Sequence, residues 1–524
     1  MEYFDPDSLE NNLIIYHVLI DRFSNSDPNR TSPYERPPFA KSIGAFHGGN
    51  IKGITEKLED GWFAELGINA LLISPPFEQI YGWIPGGQGE FQHYGYHGYF
   101  VNDFTVMDSS FGKISDLANL VEKAHAQGIA VILDVVINHP GYPELATLNS
   151  YGISAVKSGW QKATPENYYE YLDKQDDSIS RWWGSEWIRS DLIGHDPGGD
   201  NDLTRTLFNL PDFKTESTNS VNLPKFLLKK DNTNAQPRLN SSVSDYLVSW
   251  ISEWVRLTGI DGIRCDSAKH VDISTWKKLK SECENAAEVW EHNNSRKRPF
   301  SSKFFLIGEM FGHGIERTIY NTTIFDSTLN FSFQNDVGKN LSELYANYSA
   351  SLKERDHHFI SYISSHDTYL YDQNGSIDAA MALLLAPGGV LIFYGDETGR
   401  KPDGYVANDP SQATRSYMNW DSIDCDILAV FRKLGKFRNR HVAVSVGIHR
   451  NLCNNPYSFS RFHRESGDLV LIIVGCSAPT SLNVEDIFFD GEMLNDAFSG
   501  KKIVVNDGHI LVQKSDLVLL ERIQ

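Results

Sequence analysis

The sequence has little positive charge, and this limits the partners it can have. Its 524 residues include 48 Lys and Arg against 68 Asp and Glu, which gives a formal net charge of −20. Nucleic acids and anionic membrane surfaces are also negatively charged and would repel such a chain. We therefore predict a protein that binds neither nucleic acid nor membrane, and its oligomeric state is left open.

Long apolar runs and paired cysteines are also missing. No stretch of about 18 apolar residues is present, so no membrane-spanning helix is expected. The cysteines are odd in number and no two have metal-ligand spacing, so we interpret them as reduced thiols of a cytoplasmic protein. They are Cys265, Cys283, Cys425, Cys453 and Cys476. Met1–Glu10 lacks the basic and apolar regions of a signal peptide, which agrees with this compartment; a trimmed leader would instead indicate a secreted or periplasmic protein.

Aromatic residues, in contrast, are plentiful, with 11 Trp and 23 Tyr. Such residues favour either a densely packed core or platforms on which the apolar faces of sugar rings stack. Composition alone does not separate these two interpretations.

Short apolar runs rich in β-branched residues recur along the chain and alternate with helical patterns, such as Ile114–Gln127 and Val243–Thr258. This alternation indicates a parallel sheet covered on both faces, and eight such strands close into a barrel. The eight candidate strands are Leu13–Ile20, Ala70–Ser74, Ala130–Ile137, Gly262–Asp266, Phe304–Gly308, Ile324–Phe333, Phe359–Ser364 and Val390–Tyr394.

The alternation is interrupted once and then ends. Residues 140–239 are rich in Gly, Asn, Asp, Trp and Tyr, and this stretch is too long for an ordinary loop. After residue 438, short alternating runs indicate antiparallel strands. We therefore predict an α/β protein, a (β/α)8 TIM barrel formed by residues 1–139 and 240–438. An irregular domain, residues 140–239, is inserted after the third strand, and residues 439–524 form a C-terminal antiparallel β-sandwich.

The segment Gly262–His270 is central to the functional prediction. Arg264 and Asp266 are two residues apart, so on a strand their side chains share a face. A carboxylate beside an arginine is held in its ionised form, as a nucleophile must be. A buried structural ion pair would explain the same nine residues.

Polar residues collect where the predicted strands end. Asn138 and His139 follow the third strand, Glu309 follows the fifth, and His366 and Asp367 follow the seventh. In a barrel these ends form the active face. Two carboxylates are the minimum for glycoside hydrolysis, and a third can stabilise positive charge on the sugar. Any one of these carboxylates could alternatively be a helix N-cap.

Four segments carry a resemblance to a known family. They are Asp134–His139, Gly262–His270, Gly308–Glu309 and Ser365–Asp367, which read DVVINH, GIRCDSAKH, GE and SHD. In their order and approximate spacing they resemble the four signatures of the α-amylase family, family 13 of the glycoside hydrolases. The resemblance extends to His97–Tyr99, Leu210–Asp212 and Phe393–Glu397. Within the family the chain is most similar to the periplasmic-type bacterial α-amylases, through Trp182–Arg189, Leu210–Glu216 and Gly308–Gly314.

The resemblance implies a role for each matching residue. Asp266 would be the nucleophile, Glu309 the general acid and then the general base, and Asp367 the third carboxylate, which holds sugar hydroxyls. Glu309 would need a pKa raised by burial and by its two carboxylate neighbours. The residues implied to bind or orient the substrate are His97, Tyr99, His139, Arg264, Lys269, His270, His366 and Arg415.

One position departs from the family pattern, because Ser365 stands where the fourth signature usually has Asn. Serine makes fewer hydrogen bonds, and we expect an adjustment of activity without its loss. The resemblance also implies Ca²⁺, held by Asn138, by one or both of Asp200 and Asp202, and by the carbonyl of His270. Oxygen-only ligands suit this ion, although a plain turn would also explain Gly199–Asp202.

The function implied is that of a retaining α-1,4-glucan hydrolase, an α-amylase that cleaves starch, glycogen or maltodextrins through a covalent glycosyl-enzyme. A 4-α-glucanotransferase of the same fold is the first alternative, because water exclusion on the acceptor side separates the two. A non-catalytic, amylase-like glucan-binding protein is the second, although such a protein would be expected to lose one of the three carboxylates.

Overall fold

The computed structural model of the chain describes residues 11–294, 298, 304–355, 358–371 and 375–523. The segment Met1–Glu10, on which the signal-peptide prediction depended, lies outside these ranges. No helix in the described part of the chain is long and apolar enough to cross a membrane.

Eight parallel strands close into a barrel, which confirms the predicted fold. Each strand pairs with the next along the chain, and the eighth pairs with the first through neighbours such as Ile14 and Val390. Almost every strand residue is buried, because helices cover the outside and side chains fill the interior. The strands are β1 (Ile14–Val18), β2 (Ala70–Ile73), β3 (Ala130–Val135), β4 (Gly262–Cys265), β5 (Phe305–Gly308), β6 (Ser327–Asn330), β7 (His358–Tyr362) and β8 (Gly389–Phe393).

Several of the predicted strands are longer than those observed, most of all the first and the sixth. The apolar run Leu13–Ile20 ends as a strand at Val18, and Ile20–Phe23 forms a helical turn. Ile324 closes the helix Ile319–Thr323 through a hydrogen bond from its N–H to the carbonyl of Tyr320, so the sixth strand begins later. Leu19 and Ile20 after β1, and Ile324 and Phe325 before β6, are buried, which explains why the apolar runs extend beyond the strands.

Seven longer helices accompany the barrel strands. In the third βα connection, the Ser242 hydroxyl caps the helix by accepting from the N–H of Asp245, and Gly259 ends it with a left-handed φ of 76°. These helices are α1 (Ile51–Glu59), α2 (Ile114–Ala126), α3 (Val243–Thr258), α4 (Ile273–Asn294), α5 (Leu341–Arg355), α6 (Ser376–Leu384) and α7 (Cys425–Arg440). Shorter helices are Trp62–Glu65, Ile319–Thr323, Phe333–Asp336, Ser411–Thr414 and Val442–Val446.

Two small antiparallel sheets between β2 and α2 were not predicted. Phe77–Gln79 pairs with Val101–Met107, and Trp83–Gly86 pairs with Phe91–Tyr94. The second pair contains Pro85 and is joined by a glycine-rich turn, so its sequence reads as a loop. These sheets hold the His97–Tyr99 segment above the barrel.

The stretch 140–239, between β3 and α3, is irregular, as predicted. Its regular elements are the helices Leu145–Ser150, Gly184–Trp187 and Lys225–Lys229 and the paired strands Ile188–Arg189 and Asp212–Phe213. Tryptophans attach it to the barrel, because Trp187 stacks on Trp250 of α3 with ring centroids 5.7 Å apart. Trp182, Trp183 and Trp187 are fully buried, so these aromatic residues pack in the core and do not form sugar platforms.

The C-terminal part of the chain forms antiparallel β-structure, which also confirms the prediction. The strands are β9 (Ile448–Asn454), β10 (Tyr457–His463), β11 (Asp468–Cys476), β12 (Thr480–Asn483), β13 (Met493–Asp496), β14 (Lys502–Val504), β15 (His509–Val512) and β16 (Ser515–Arg522). Six of them form one sheet in the order β9-β10-β11-β16-β13-β14, and β12 pairs with β15. Leu471, Ile473 and Leu520 belong to a hydrophobic core that is separate from that of the barrel.

Candidate active site

Arg264 and Asp266 contact each other at the end of β4, as their two-residue spacing predicts. Nη1 of Arg264 lies 2.6 Å from Oδ1 of Asp266. The same nitrogen donates to both carboxylate oxygens of Asp134 on β3, at 2.8 and 2.9 Å. The guanidinium is almost wholly buried, so it orients the Asp266 carboxylate from inside the barrel.

Glu309 follows β5 and is buried beside the same arginine. Its Oε2 lies 3.8 Å from Nη2 of Arg264 and accepts a 2.7 Å hydrogen bond from the N–H of Ser267. Ser267 adopts a left-handed φ of 48°, a strained conformation for serine. Burial, supported by the charges of Asp266 and Asp367 and opposed by Arg264, raises the pKa of Glu309 to about 8. Glu309 is therefore protonated at neutral pH, as a general acid must be.

Asp367 follows β7 and is in the opposite electrostatic situation. Its Oδ2 lies 2.9 Å from Nε2 of His366, and its Oδ1 accepts a 3.2 Å hydrogen bond from Arg415. Burial alone would raise the pKa of Asp367, but His366, Arg415 and Arg264 together hold it well below its usual range. The site thus combines a neutral carboxylic acid with an ionised carboxylate, which is the division of roles that acid–base chemistry requires.

Three of the predicted sugar-binding rings form a stack beside these carboxylates. The Tyr99 ring lies parallel to that of His366, with centroids 5.4 Å apart, and the His97 ring lies 5.4 Å from Tyr99 on its other side. Between them, Gly98 has a φ of 97°, and a Cβ there would lie 2.5 Å from the Pro75 carbonyl oxygen. His139 is buried, and this burial lowers its pKa, opposed by its hydrogen bond to the Pro140 carbonyl and by the charge of Asp266.

The remaining predicted site residues lie at the rim or behind the carboxylates. Lys269 and His270 lie on the short 3-10 helix Ala268–His270, and Nδ1 of His270 is 2.7 Å from the carbonyl oxygen of Asp202 in the insert. Arg415 contacts both the His366 carbonyl and Asp367. This arginine therefore positions the third carboxylate.

Two buried residues of the site were not among the predicted site residues. Asp134 accepts from Arg264 and, at 2.6 Å, from the Tyr99 hydroxyl. His17, on β1, lines the pocket that contains His366 and Asp367. The signal for both was the same, since each is a polar residue that interrupts an otherwise apolar strand.

The comparisons with known proteins agree with this geometry. Residues 17–427 match the family model described as the α-amylase catalytic domain. The periplasmic α-amylase of Escherichia coli (strain K12) is 39% identical over 490 residues, which cover 88% of this chain and 72% of that protein. The chain belongs to the α-amylase family of glycoside hydrolases.

More distant amylase-family relatives carry other activities or show the fold alone. A cyclomaltodextrin glucanotransferase of Thermoanaerobacterium thermosulfurigenes is 26% identical over 508 residues, which cover 91% of this chain and 61% of that protein. The crystal structure of the Geobacillus thermoleovorans α-amylase in complex with acarbose superposes with a TM-score of 0.66 at 20% identity, and 99% of each chain is covered. At that identity the likeness concerns the fold.

Exposed aromatic residues flank this amylase-family site and were missed from sequence. Phe208 is 87% exposed and has a left-handed φ of 50°. Its carbonyl accepts a hydrogen bond from the Tyr142 hydroxyl, and the Tyr142 ring packs on Phe100. The ring centroids of Phe100 and His97 are 4.4 Å apart. Phe311 follows Glu309 by two residues and is 58% exposed. Exposed rings beside a candidate active site are suited to stacking on the apolar face of a sugar.

The calcium that the family implies can be compared with the donors present. Within the described ranges no three His, Cys, Asp or Glu side chains are arranged to hold a metal. The buried oxygens without a hydrogen-bond partner nevertheless include Oδ1 of Asn138 and Oδ1 of Asp212. They come from adjoining segments, because the Asn138 carbonyl accepts from the N–H of Phe213. Such oxygens fit a hard cation, whereas Asp200 and Asp202 are exposed.

Proposed function

We propose that the protein is a retaining α-amylase that hydrolyses α-1,4 bonds of starch, glycogen or maltodextrins. One observation carries the proposal: a single buried guanidinium, that of Arg264, contacts both the carboxylate suited to nucleophilic attack and the neutral acid Glu309. The family membership and the E. coli relative support the same activity.

The reaction follows from these side chains in two steps. Asp266 attacks the anomeric carbon and forms a glycosyl ester, while Glu309 gives its proton to the departing glycosidic oxygen. Glu309, now a carboxylate, then removes a proton from water, whose oxygen displaces Asp266 and releases the sugar. Asp367 accepts hydrogen bonds from sugar hydroxyls and stabilises the positive charge that develops on the ring.

Product analysis on a long maltodextrin tests this proposal. Short maltodextrins of the α-anomer should appear in the NMR spectrum as they form, with a matching rise in reducing ends. Redistribution of chain lengths without new reducing ends would identify a transferase. Absence of turnover by folded protein supplied with Ca²⁺ would contradict the enzymatic reading altogether.

The glucanotransferase alternative is favoured by one observation, the exposed ring of Phe208. A ring that binds an acceptor sugar raises the chance that sugar, and not water, takes the glycosyl unit from Asp266. The glucanotransferase relatives make this alternative concrete, although they match at lower identity than the E. coli amylase.

Replacing Phe208 by Ala is expected to raise KM for long maltodextrins about threefold to tenfold, since one sugar–ring contact is lost. The ratio of transfer products to new reducing ends should fall with it. Chromatography of the products and a reducing-end assay measure both quantities. Phe489→Ala, at a ring 77% exposed in the connection between β12 and β13, is the matched control and should leave both unchanged. An unchanged KM in Phe208→Ala would show that the ring does not touch substrate.

We also propose that the protein binds Ca²⁺ between barrel and insert. Asn138 and Asp212 would hold it through their buried unpartnered oxygens, together with the His270 carbonyl, and Asp200 and Asp202 stay predictions as further ligands. The bound ion would supply positive charge that offsets the insert carboxylates and links them to the end of β3. Arg189 already contacts the other oxygen of Asp212, at 2.7 Å, and also Glu216.

Adding Ca²⁺ to protein treated with EGTA is therefore expected to raise Tm by about 2–3 °C. Binding to the folded state alone adds about 2.7 kcal/mol to the free energy of unfolding when free Ca²⁺ is about one hundred times Kd. Asp212→Asn should remove most of this rise, while Asp200→Asn, at an exposed position, should remove only a small part of it. Differential scanning calorimetry measures the shift. Loss of the rise in Asp200→Asn, with its retention in Asp212→Asn, would place the ion in the exposed turn.

Two further predictions from the sequence are kept as proposals. The division into a barrel of residues 1–139 and 240–438, an insert of 140–239 and a C-terminal domain of 439–524 is supported by the change of architecture at these points. A cytoplasmic location is supported by five free cysteines, whereas the E. coli relative is named as periplasmic.

A further inference from the structure

A small, largely apolar chamber lies behind the third carboxylate. It is partly open to solvent and has room for about one or two water molecules, and ten residues line it. Three of them carry a buried polar atom without a hydrogen-bond partner: Nε2 of His17, Nδ1 of His366 and the hydroxyl of Tyr362. Leu72, Leu329, Phe331 and Leu391 supply apolar walls. Buried polar atoms left unpaired are costly, and bound water is the usual partner that satisfies them.

The protons around His366 can be assigned from its neighbours. The Tyr99 hydroxyl donates its only proton to Asp134, so its oxygen acts as an acceptor toward Nε2 of His366, 2.9 Å away. The other neighbour of Nε2, at 2.9 Å, is Oδ2 of Asp367, which also accepts. Nε2 therefore carries a proton directed at these two oxygens. The orientation of the ring then depends on what Nδ1 contacts on its other side.

His17 packs against the His366 ring and lines the same chamber. Its ring meets the His366 ring edge-on, with centroids 5.2 Å apart, and it also packs on Phe393. His17 is almost wholly buried at the end of β1. Burial, reinforced by His366 and Arg264 and opposed by Asp367, holds the pKa of His17 well below its usual range. It is thus a neutral imidazole, which can both donate and accept a hydrogen bond.

We propose that the chamber is a water-binding site in which water joins His17, Tyr362 and Nδ1 of His366, and that His17 thereby acts as a positioning residue for His366 and Asp367. The inference rests on the proposed hydrolase function and adds a residue to it. His17 does not touch the substrate; it holds the His366 ring so that its Nε2–H stays on Asp367. Without this support the ring is free to turn, and Asp367 loses a hydrogen bond that keeps it ionised.

The charges that face Asp367 come from several elements, and they determine how pH enters the test. His366 and Arg415 contact it directly, and Arg264 lowers its pKa from β4. Glu309, Tyr99, Tyr362 and His17 each interact with its charge as well. Of the two side chains in direct contact with Asp367, His366 is the one that lines the chamber. Loss of that contact should raise the pKa of Asp367, so the acidic limb of the activity profile should move to higher pH.

The test compares four variants of the full-length enzyme. His17→Leu removes the polar ring, His17→Gln keeps a donor and acceptor near the place of Nε2, and Tyr362→Phe removes only a hydroxyl. Leu391→Met changes an apolar wall of the same chamber at similar volume and is the control. Thermal unfolding of each variant shows whether it is folded, and kcat, KM and the pH profile are measured on maltodextrin.

We expect His17→Leu to lower kcat about tenfold with KM within twofold of wild type, and to move the acidic limb upward, since one hydrogen bond is lost. His17→Gln should restore most of kcat, and Tyr362→Phe should shift the limb in the same direction by less. An electron-density map at high resolution should show water touching all three polar atoms. If His17→Leu fails to fold, the pH profile of Tyr362→Phe and the water seen in the electron-density map test the proposal instead.

Several results would overturn the inference. Equal kcat losses in His17→Leu and His17→Gln would show a packing role alone, as would an effect of Leu391→Met of the same size. If the acidic limb of the activity profile stayed at the same pH in folded His17→Leu and Tyr362→Phe, the chamber would not act through Asp367. Failure of the proposed function is separate, because it would appear as wild-type enzyme that releases no new reducing ends.

Discussion

Replacing Asp266 by Asn is expected to lower kcat/KM for maltodextrins by about 10⁴-fold or more, because the glycosyl ester can no longer form. The amide keeps the size of the carboxylate, so Arg264 and the strand end should stay in place, and KM should change little. Initial rates from a reducing-end assay on purified wild type and variant measure the loss.

Two controls make the Asp266 result specific. Asp421→Asn removes one carboxylate at an exposed position in the turn before α7, and this variant should keep full activity. An activated fluorosugar that traps the ester should add its glycosyl mass to wild type, on the peptide that contains Asp266, and none to the variant. If Asp266→Asn kept more than about one tenth of the wild-type rate, Asp266 would not be the nucleophile.

The second large effect is expected from Glu309→Gln, which should lower kcat on maltodextrin by about 10²- to 10⁴-fold, the usual contribution of a general acid. Maltosyl fluoride has a leaving group that departs without a proton, so the first step on this substrate should be far less affected. The structural reason is the raised pKa of Glu309, which keeps its proton available at neutral pH.

The pH dependence supplies an independent check of the Glu309 assignment. Activity of the wild type on maltodextrin should decline as pH rises through about 8, because Glu309 then loses the proton that it must donate. With maltosyl fluoride this alkaline decline should be much weaker in the glycosylation step. If Glu309→Gln lowered the rates on maltodextrin and maltosyl fluoride equally, Glu309 would have a structural role. An alkaline decline of the same size on both substrates would lead to the same conclusion.

The barrel and the three carboxylates could be predicted from sequence because their signals are local. Each strand is a run of apolar residues, and Asp266, Glu309 and Asp367 each stand at the end of such a run. Arg264 and Asp266 share a face through backbone geometry alone, so their contact needed no knowledge of the fold. The insert was predicted through the absence of periodicity, and this is also why its internal contacts could not be derived.

Other features of the site depend on distant segments and had no local signal. Asp212 pairs with Arg189 across the insert, and Phe208 is presented by Tyr142, far away in sequence. The chamber behind Asp367 brings together β1, β4 and β7, and only barrel closure places His17 next to His366. A polar residue within an apolar strand indicated that something was unusual there, but it did not say which partner the residue would meet.

The guanidinium of Arg264 has a consequence for how this site can change over time. It is shared by Asp134, Asp266 and, at longer range, Glu309, so the free energies of substitutions at these positions should not add. Removing one member leaves the others with an altered counter-charge, and a second substitution then starts from a different background. During evolution, single substitutions in this ion network should be removed by selection, whereas simultaneous replacements of several members could be tolerated. The network should therefore persist while the surrounding loops diverge.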